Sequence, residues 1–189
     1  LKINETAKTT ALQYFGAGSA VYARCQFNQG RVFYVMGRYT EAEPLYLEAK
    51  AVQEKVLGKE NLDYALTLNN LGILHKKTGR YESAEQLYLE TKAIREKVLG
   101  KEHSDYVWCL TNLGNLYENL GQYEKAELLL VEAKNIRERI QGKEHYEYAL
   151  NLNSLSVLYR DMGQYEKAAP LLIESRIILE KTLGREHPE

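Results

Sequence analysis

The sequence predicts an all-α protein, a right-handed superhelical solenoid built from antiparallel helix pairs. Glycine recurs every 42 residues, at Gly37, Gly79, Gly121 and Gly163, and tyrosine follows each of them two positions later. Between the glycines, apolar residues step by three and four positions, which is the spacing of one helix face. Units of this kind bury their apolar faces only against neighbouring units, so the stacked repeats form a superhelix.

About nine helices are predicted along the chain. Each repeat holds two apolar-periodic segments, with a glycine such as Gly79 between them and another such as Gly100 after the second. A glycine in that second place suits a left-handed C-terminal cap. The predicted helices span residues 2–15, 19–36, 39–56, 61–78, 81–98, 103–120, 123–140, 145–162 and 165–182.

All 189 residues are predicted to form a single array. Residues 1–18 align with the second helix of an upstream repeat whose first helix is missing, so the sequence is interpreted as a piece of a longer chain. Four repeats follow, at 19–60 (repeat 1), 61–102 (repeat 2), 103–144 (repeat 3) and 145–189 (repeat 4). Both end helices should expose apolar side chains, which could support end-to-end self-association.

Composition argues against several functions. The chain has 25 Lys+Arg and 26 Asp+Glu, so neither nucleic acid nor an anionic membrane surface is an expected partner. It contains no run of 18 apolar residues that would predict a membrane-spanning helix. Cys25 and Cys109 occupy the same slot two repeats apart, roughly 20 Å, which exceeds the reach of a disulfide. We therefore expect free thiols in a reduced, cytoplasmic protein.

The repeat resembles the tetratricopeptide repeat, whose pattern is W-x2-L-G-x2-Y, then A-x3-F, then P. The matching segments are Leu71-Gly72-x2-His75, Leu113-Gly114-x2-Tyr117, Ala42-x3-Tyr46 and Ala84-x3-Tyr88. Repeat 4 departs from the pattern, with Ser156 for the glycine and Leu172 for the aromatic residue. The 42-residue length and the Leu-Gly-Lys-Glu-His loop resemble the subtype found in kinesin light chains.

This resemblance implies a protein-interaction module that holds a peptide segment in a concave groove lined by the first helices. In such proteins an asparagine on this face commonly bonds the ligand backbone, because an amide both donates and accepts. The residues predicted to line the groove are Arg24, Asn28, Arg31, Asn69, Asn70, Ile73, Trp108, Asn112, Asn115 and Asn153. The alternative for the amides is a bond to a neighbouring helix or to local backbone.

A second function remains open at this stage. The same subtype occurs in bacterial signalling proteins that join such arrays to a caspase-like peptidase or an NTPase, so the chain could be a regulatory arm of a larger enzyme. These residues contain no Ser/His/Asp order and no glycine-rich phosphate loop beyond the repeat pattern. The chain itself is therefore predicted to be no enzyme and to need no cofactor.

Histidines and charged residues also recur with the repeat. His103, His145 and His187 invite a metal hypothesis, but one per layer places them about 10 Å apart, whereas zinc needs nitrogen ligands at ~2 Å. We predict that they cap loops and that no metal is bound, and that His75 is a core histidine. A solvated helix face is predicted for the ladder of Glu48, Glu90, Glu132 and Glu174.

Overall fold

The computed structural model describes the backbone of residues 2–183 and the side chains of residues 6–182. Within residues 2–183 the chain forms nine helices and no strand. They are α1 (Lys2–Phe15), α2 (Ala20–Val35), α3 (Tyr39–Leu57), α4 (Leu62–Lys77), α5 (Tyr81–Leu99), α6 (Ser104–Asn119), α7 (Tyr123–Gln141), α8 (Tyr146–Asp161) and α9 (Tyr165–Leu183). The all-α prediction is confirmed, and every predicted helix is present with its ends displaced by no more than one residue.

The helices belong to two compact units, Leu1–Val98 and Leu99–Glu189. The first unit holds α1 to α5 and the second holds α6 to α9. The prediction of one continuous array stays a prediction. Within the part of the chain that the structure describes, no helix has both the length and the apolar character needed to cross a lipid bilayer.

A side chain caps the start of α2, α4, α6 and α8, which are the first helices of the four repeats. The capping groups are Ser19, Asn61, His103 and His145, and each accepts a hydrogen bond from a backbone N–H of the first turn. His103 Nδ1, for example, lies 3.1 Å from the backbone nitrogen of Asp105. Loop capping is thus confirmed for His103 and His145, whereas His187 lies outside the described residues. No group of three or more metal-ligating side chains occurs among the residues that were described.

First and second helices of a repeat cross closely at glycine. A Cβ atom at Gly72 would lie 2.6 Å from the ring of Tyr88, and one at Gly114 would lie 2.7 Å from Cγ of Leu130. Tyr88 and Leu130 are almost completely buried. The glycines are needed because the space that a side chain would fill is occupied by the second helix.

Within each unit, a following first helix packs into the groove between the two helices before it. In the first unit, Leu71 and Leu74 of α4 join Phe27 of α2 and Ala42 and Tyr46 of α3 in one buried cluster. In the second unit, α8 contacts both α6 and α7. This arrangement buries the apolar faces that the sequence pattern predicts.

Glu48, Glu132 and Glu174 of the glutamate ladder are exposed, in agreement with the predicted solvated face, and two glutamates of the ladder also bond to a neighbouring helix. The hydroxyl of Tyr22 on α2 donates to Glu48 Oε1 on α3 at 2.9 Å, and the hydroxyl of Tyr64 donates to Glu90 Oε1 at 3.0 Å. The sequence pattern missed this because carboxylates on an exposed face can still reach a tyrosine of the adjacent helix. Cys25 and Cys109 are free thiols, as predicted.

The close crossing at Gly72 can be tested by overpacking. Gly72→Leu should lower the free energy of unfolding by at least about 2 kcal/mol, because it forces apart α4 and the ring of Tyr88. Lys92→Ala, which removes a half-exposed ion pair with Glu96, should change it by less than about 0.5 kcal/mol. Urea unfolding measures both. Equal destabilisation by the two substitutions would contradict the assigned packing.

Candidate functional site

Three of the predicted groove residues lie together in the first unit. Arg24, Asn28 and Arg31 of α2 line a cavity of about 210 Å³, which Asp63 and Leu66 of α4 complete. Arg24, Asn28 and Arg31 are all exposed. The cavity therefore offers charged and amide groups at the surface over an apolar side chain.

The two arginines of this cavity differ in their electrostatic surroundings. The guanidinium of Arg24 pairs with Asp63 at 3.0 Å, so much of its charge is compensated. The guanidinium of Arg31 lies over the ring of Phe27, 5.9 Å from its centre. An aromatic face attracts a cation without neutralising it. Arg31 is consequently the better place for an anionic group of a ligand.

The remaining predicted residues of the first unit lie on α4. Asn70 Nδ2 donates to the backbone carbonyl of Leu66 at 2.9 Å, which is the local bond foreseen as the alternative to ligand binding. Asn69 is buried, with 9% of its surface exposed, and Ile73 is half-buried. Of the predicted asparagines of this unit, Asn28 is therefore the most open to a ligand.

In the second unit, Trp108 covers a buried ion pair. The indole Nε1 donates to Glu147 Oε1 at 3.2 Å, and the other carboxylate oxygen of Glu147 accepts from Arg137. The Arg137 guanidinium also lies 5.1 Å from the centre of the Trp108 ring. Only 1% of Arg137 is exposed. Burial lowers the pKa of Arg137, while the charge of Glu147 acts in the opposite direction.

Further hydrogen bonds make this ion pair part of a network across three helices. Arg137 Nε donates to Asn151 Oδ1 at 3.3 Å, and Asn151 Nδ2 donates to Thr111 Oγ1 at 2.8 Å. Gln141 Oε1 accepts from Arg137 at 3.1 Å. The network joins α6, α7 and α8 and holds the indole of Trp108 in place.

The sequence analysis did not find Arg137, Glu147 and Asn151. One signal was available in the repeat. Gln53, Arg95 and Arg137 occupy equivalent positions 42 residues apart, and all three are buried. Because the second helices carry many other charged residues, the sequence offered no reason to distinguish Arg137 from a surface arginine. Periodicity alone does not distinguish the two cases.

The other predicted residues of the second unit lie on α6, on the same helix face as Trp108, and on α8. Asn112 and Asn115 are half-buried on α6, and Asn115 Oδ1 is a buried oxygen that accepts no hydrogen bond from the described residues. Asn153 is exposed and lines a separate cavity between α8 and α9. The structure thus places the predicted residues in more than one environment.

His75 forms a polar cluster with a serine on one side and a glutamate on the other. This is the order of groups in the catalytic triad of a hydrolase, but the likeness ends there. Its Nε2 lies 3.1 Å from Glu43 Oε1 and its Nδ1 lies 2.8 Å from Ser83 Oγ. Both nitrogens are satisfied if Nε2–H donates to the carboxylate and Nδ1 accepts the serine hydroxyl. Tyr159, which replaces His75 in repeat 4, donates to Glu127 at 2.7 Å in the same way. The cluster therefore ties neighbouring helices together, and His75 is a core histidine, as predicted.

Comparison with family models identifies the class of the protein. A tetratricopeptide repeat model matches residues 23–97 and 75–139, and a second tetratricopeptide repeat model matches residues 152–189. These matches cover most of the chain, which belongs to the tetratricopeptide repeat family.

Solved structures show the same fold. The chain resembles BtubC (BKLC) from P. vanneervenii with a TM-score of 0.84 and 20% identity, covering 100% of this chain and 74% of that one. A kinesin light chain protein of P. anserina with nearly identical TPR-like repeats has a TM-score of 0.80 and 24% identity over 96% of this chain and 86% of its own. Apo RapI has a TM-score of 0.80 and 18% identity, covering 96% of this chain and 63% of its own.

These findings confirm an all-α helical-repeat solenoid of the kinesin-light-chain-like kind. A search of curated protein sequences gives no significant match. The chain is a repeat scaffold of the class that mediates protein interactions.

The surroundings of His75 predict a pH dependence of stability. Burial lowers the pKa of His75, and the charge of Arg80 adds to this effect. The unfolded chain takes up the proton near pH ~6.5, so it binds more protons than the folded chain just below that pH, and stability falls as pH falls. Wild type should lose free energy of unfolding between about pH 7.5 and 5.5 that His75→Tyr retains. Parallel pH profiles for the two proteins would contradict this assignment.

The buried network predicts an asymmetry between single and double substitutions. Glu147→Ala should cost about 3–5 kcal/mol of unfolding free energy, because it leaves the buried charge of Arg137 without its partner. The double variant Arg137→Met/Glu147→Leu should cost less than that single substitution, since neither charge of the pair is left buried. Chemical unfolding followed by Trp108 fluorescence measures both. A double variant as unstable as Glu147→Ala would show that the unpaired charge is not the source of the cost.

Proposed function

We propose that this protein binds a peptide segment, of another protein or of its own parent chain, along the faces of its first helices that carry Arg24, Asn28 and Arg31 in the first unit and Trp108 in the second. The observation that carries the proposal is the cavity of the first unit, where Arg24, Asn28 and Arg31 converge at the surface. Asn28 provides an amide that can donate to a peptide carbonyl and accept from a peptide N–H. Leu66 provides apolar contact at the same place.

The charges of this cavity favour a ligand with acidic residues. Arg24 is already paired with Asp63, whereas Arg31 lies over an aromatic ring and faces solvent. A carboxylate of the peptide can take both donors of one guanidinium edge of Arg31. Because the whole chain carries a net charge of −1, this attraction is local and is screened by salt.

Trp108 is proposed as the contact residue of the second unit. It is half-buried, and its N–H is held by Glu147, so the ring has a fixed orientation before any ligand arrives. Rigid aromatic surface is typical of binding hot spots because little side-chain entropy is lost on binding. Asn112 and Asn115 lie on the same helix and are proposed to contribute amide contacts. Four further candidates remain. Three of them are less exposed, namely Asn69, Asn70 and Ile73, and the fourth, Asn153, lies in a different cavity.

A peptide library displayed on phage and selected against the 189-residue protein tests the proposal. Selected peptides should carry acidic residues, and their affinity should fall as salt concentration rises. Arg31→Glu and Asn28→Ala should each weaken binding about tenfold or more. Both positions are exposed, so circular dichroism and unfolding should remain unchanged.

The matched control is Lys55→Glu. Lys55 is exposed on α3, a second helix, and the substitution changes the net charge by the same amount as Arg31→Glu. It follows Gln53, which lines the cavity, by two positions, so the two side chains leave α3 on opposite sides. The substitution should leave the affinity within about twofold of wild type. Peptides that respond equally to Lys55→Glu and Arg31→Glu, or to neither, would contradict binding at the α2 surface.

A further inference from the structure

The peptide-binding cavity proposed for the first unit has at its floor a hydrogen-bond donor without an acceptor. Gln53 of α3 is the most buried residue that lines this first-unit cavity, with 3% of its surface exposed. Thr67 Oγ1 lies 2.7 Å from Gln53 Oε1 and 3.1 Å from the backbone oxygen of Asp63, and the shorter contact assigns the hydroxyl proton to Gln53. Gln53 Nε2 donates to none of the described residues. A donor left unpaired on burial costs free energy, which an acceptor of a ligand would recover.

Other unused donors surround the same cavity. The guanidinium of Arg31 lies over the ring of Phe27 and forms no ion pair with a described residue, and the side chain of Asn28 bonds none of them either. Arg24 differs, because Asp63 pairs with it. Two arginines and one aspartate leave a single positive charge in excess. The cavity thus has more donors than acceptors, and a ligand group with one negative charge balances its charge.

The second unit contains the equivalent arrangement with a carboxylate in place. Three pairs of positions, each 84 residues apart, correspond to one another: Arg24 and Trp108, Gln53 and Arg137, and Asp63 and Glu147. Glu147 bridges both partners of its set, since Oε1 accepts from Trp108 at 3.2 Å and Oε2 accepts from Arg137. Asp63 accepts from Arg24 at 3.0 Å but not from Gln53. Aspartate has one methylene fewer than glutamate, so it reaches only one of the two positions.

We propose that the first-unit cavity binds the side-chain carboxylate of a glutamate in the peptide ligand, and that Gln53 determines this specificity. The inference rests on the proposed peptide-binding function and names the group that the cavity accepts. The carboxylate takes both donors of one edge of the Arg31 guanidinium, and one of its oxygens also accepts from Gln53 Nε2. Asn28 at the rim donates to a backbone carbonyl of the peptide. The ligand thereby supplies the carboxylate that Glu147 supplies within the second unit.

The length of the ligand side chain follows from the depth of Gln53. Gln53 is almost completely buried, whereas Asn28 and Arg31 are exposed at the rim of the cavity. A ligand side chain must therefore pass the rim before its carboxylate meets Gln53 Nε2. An aspartate is one methylene shorter than a glutamate and stays near the rim, just as Asp63 stays with Arg24. The cavity therefore prefers glutamate to aspartate.

The charge of the cavity selects a single carboxylate. Phosphoserine carries close to two negative charges at pH 7, which exceeds the one positive charge in excess and brings the second negative charge near Asp63. Glutamine has the shape of glutamate, but its amide group would place donors against those of Arg31. Leu66, which is 37% exposed at the cavity, offers an apolar contact to the methylenes of a glutamate. A glutamate side chain therefore fits better than phosphoserine or glutamine.

Acetyl-glutamate amide serves as the probe, because it has one side-chain carboxylate and no charged terminus. Titrated into the nitrogen-15-labelled 189-residue protein, it should shift the side-chain NH2 signals of Gln53 and Asn28 to saturation. Acetyl-glutamine amide, acetyl-aspartate amide and acetyl-phosphoserine amide should each bind at least about tenfold more weakly. Acetyl-glycine, which has only a terminal carboxylate, should also bind at least about tenfold more weakly. The Gln53 signals are identified by their loss in Gln53→Met, a variant that should also lose binding.

Asp63→Glu provides the sharpest test, because it lengthens the chain's own carboxylate by one methylene. The longer side chain should bridge Arg24 and Gln53 in the way that Glu147 bridges its two partners, and so compete with the ligand. Affinity for acetyl-glutamate amide should fall about tenfold, although the net charge is unchanged. The matched control is Asp161→Glu, at an exposed aspartate of the second unit, which should leave the affinity within about twofold of wild type. Circular dichroism and unfolding check the fold of each variant.

Several results would overturn the glutamate assignment: no shift at Gln53, equal binding of any of the four comparison compounds, or probe binding that ignores Asp63→Glu. Selected peptides that bind through Arg31 but tolerate replacement of every glutamate by aspartate would also overturn it, while leaving the proposed peptide binding intact. Conversely, selective binding of the probe by a protein that selects no peptide from the library would support the carboxylate cavity and contradict the peptide-binding function. The two proposals can therefore fail separately.

Discussion

The close crossing of the two helices within each repeat is the contact on which the other features depend. Gly72 and Gly114 leave room for Tyr88 and Leu130, which are pressed against the first helix with almost no exposed surface. In repeat 1, where Gly30 leaves the same room for Tyr46, α4 meets both α2 and α3 and buries Leu71 and Leu74 against them. The small residue at the crossing thus sets how closely the two helices of a repeat approach.

Polar contacts between neighbouring helices recur at equivalent positions of successive repeats. Tyr22 and Tyr64 donate to glutamates of the following helix, and exposed ion pairs such as that between Arg139 and Glu102 tie a second helix to the loop that precedes its repeat. Exposed pairs of this kind contribute little stability individually, typically below about 1 kcal/mol. Their regular recurrence fixes the register between helices more than it adds to the free energy of folding.

The sequence predicted the helices well because their boundaries are marked by local chemistry. Asn61 and His103 cap helices through their own side chains, and glycines follow the second helices. The site was less predictable because it depends on contacts between helices. Asn70 bonds its own helix, and Arg137 lies in the core rather than on a charged surface. Spacing identifies the face on which a residue lies, but it does not identify the partner that the residue meets there.

One position of the repeat, or slot, shows how the same backbone structure carries different side-chain chemistry in different repeats. In repeat 1 the slot holds Gln53, which accepts a neutral hydrogen bond from Thr67 at 2.7 Å. In repeat 3 it holds Arg137, which is buried with Glu147 and Asn151 beneath an indole. A neutral pair is inexpensive to bury, whereas an ion pair requires compensation of both charges. The repeated residues therefore build the scaffold, and the residues that break the repeat, such as those of this slot, give each repeat its own set of polar contacts.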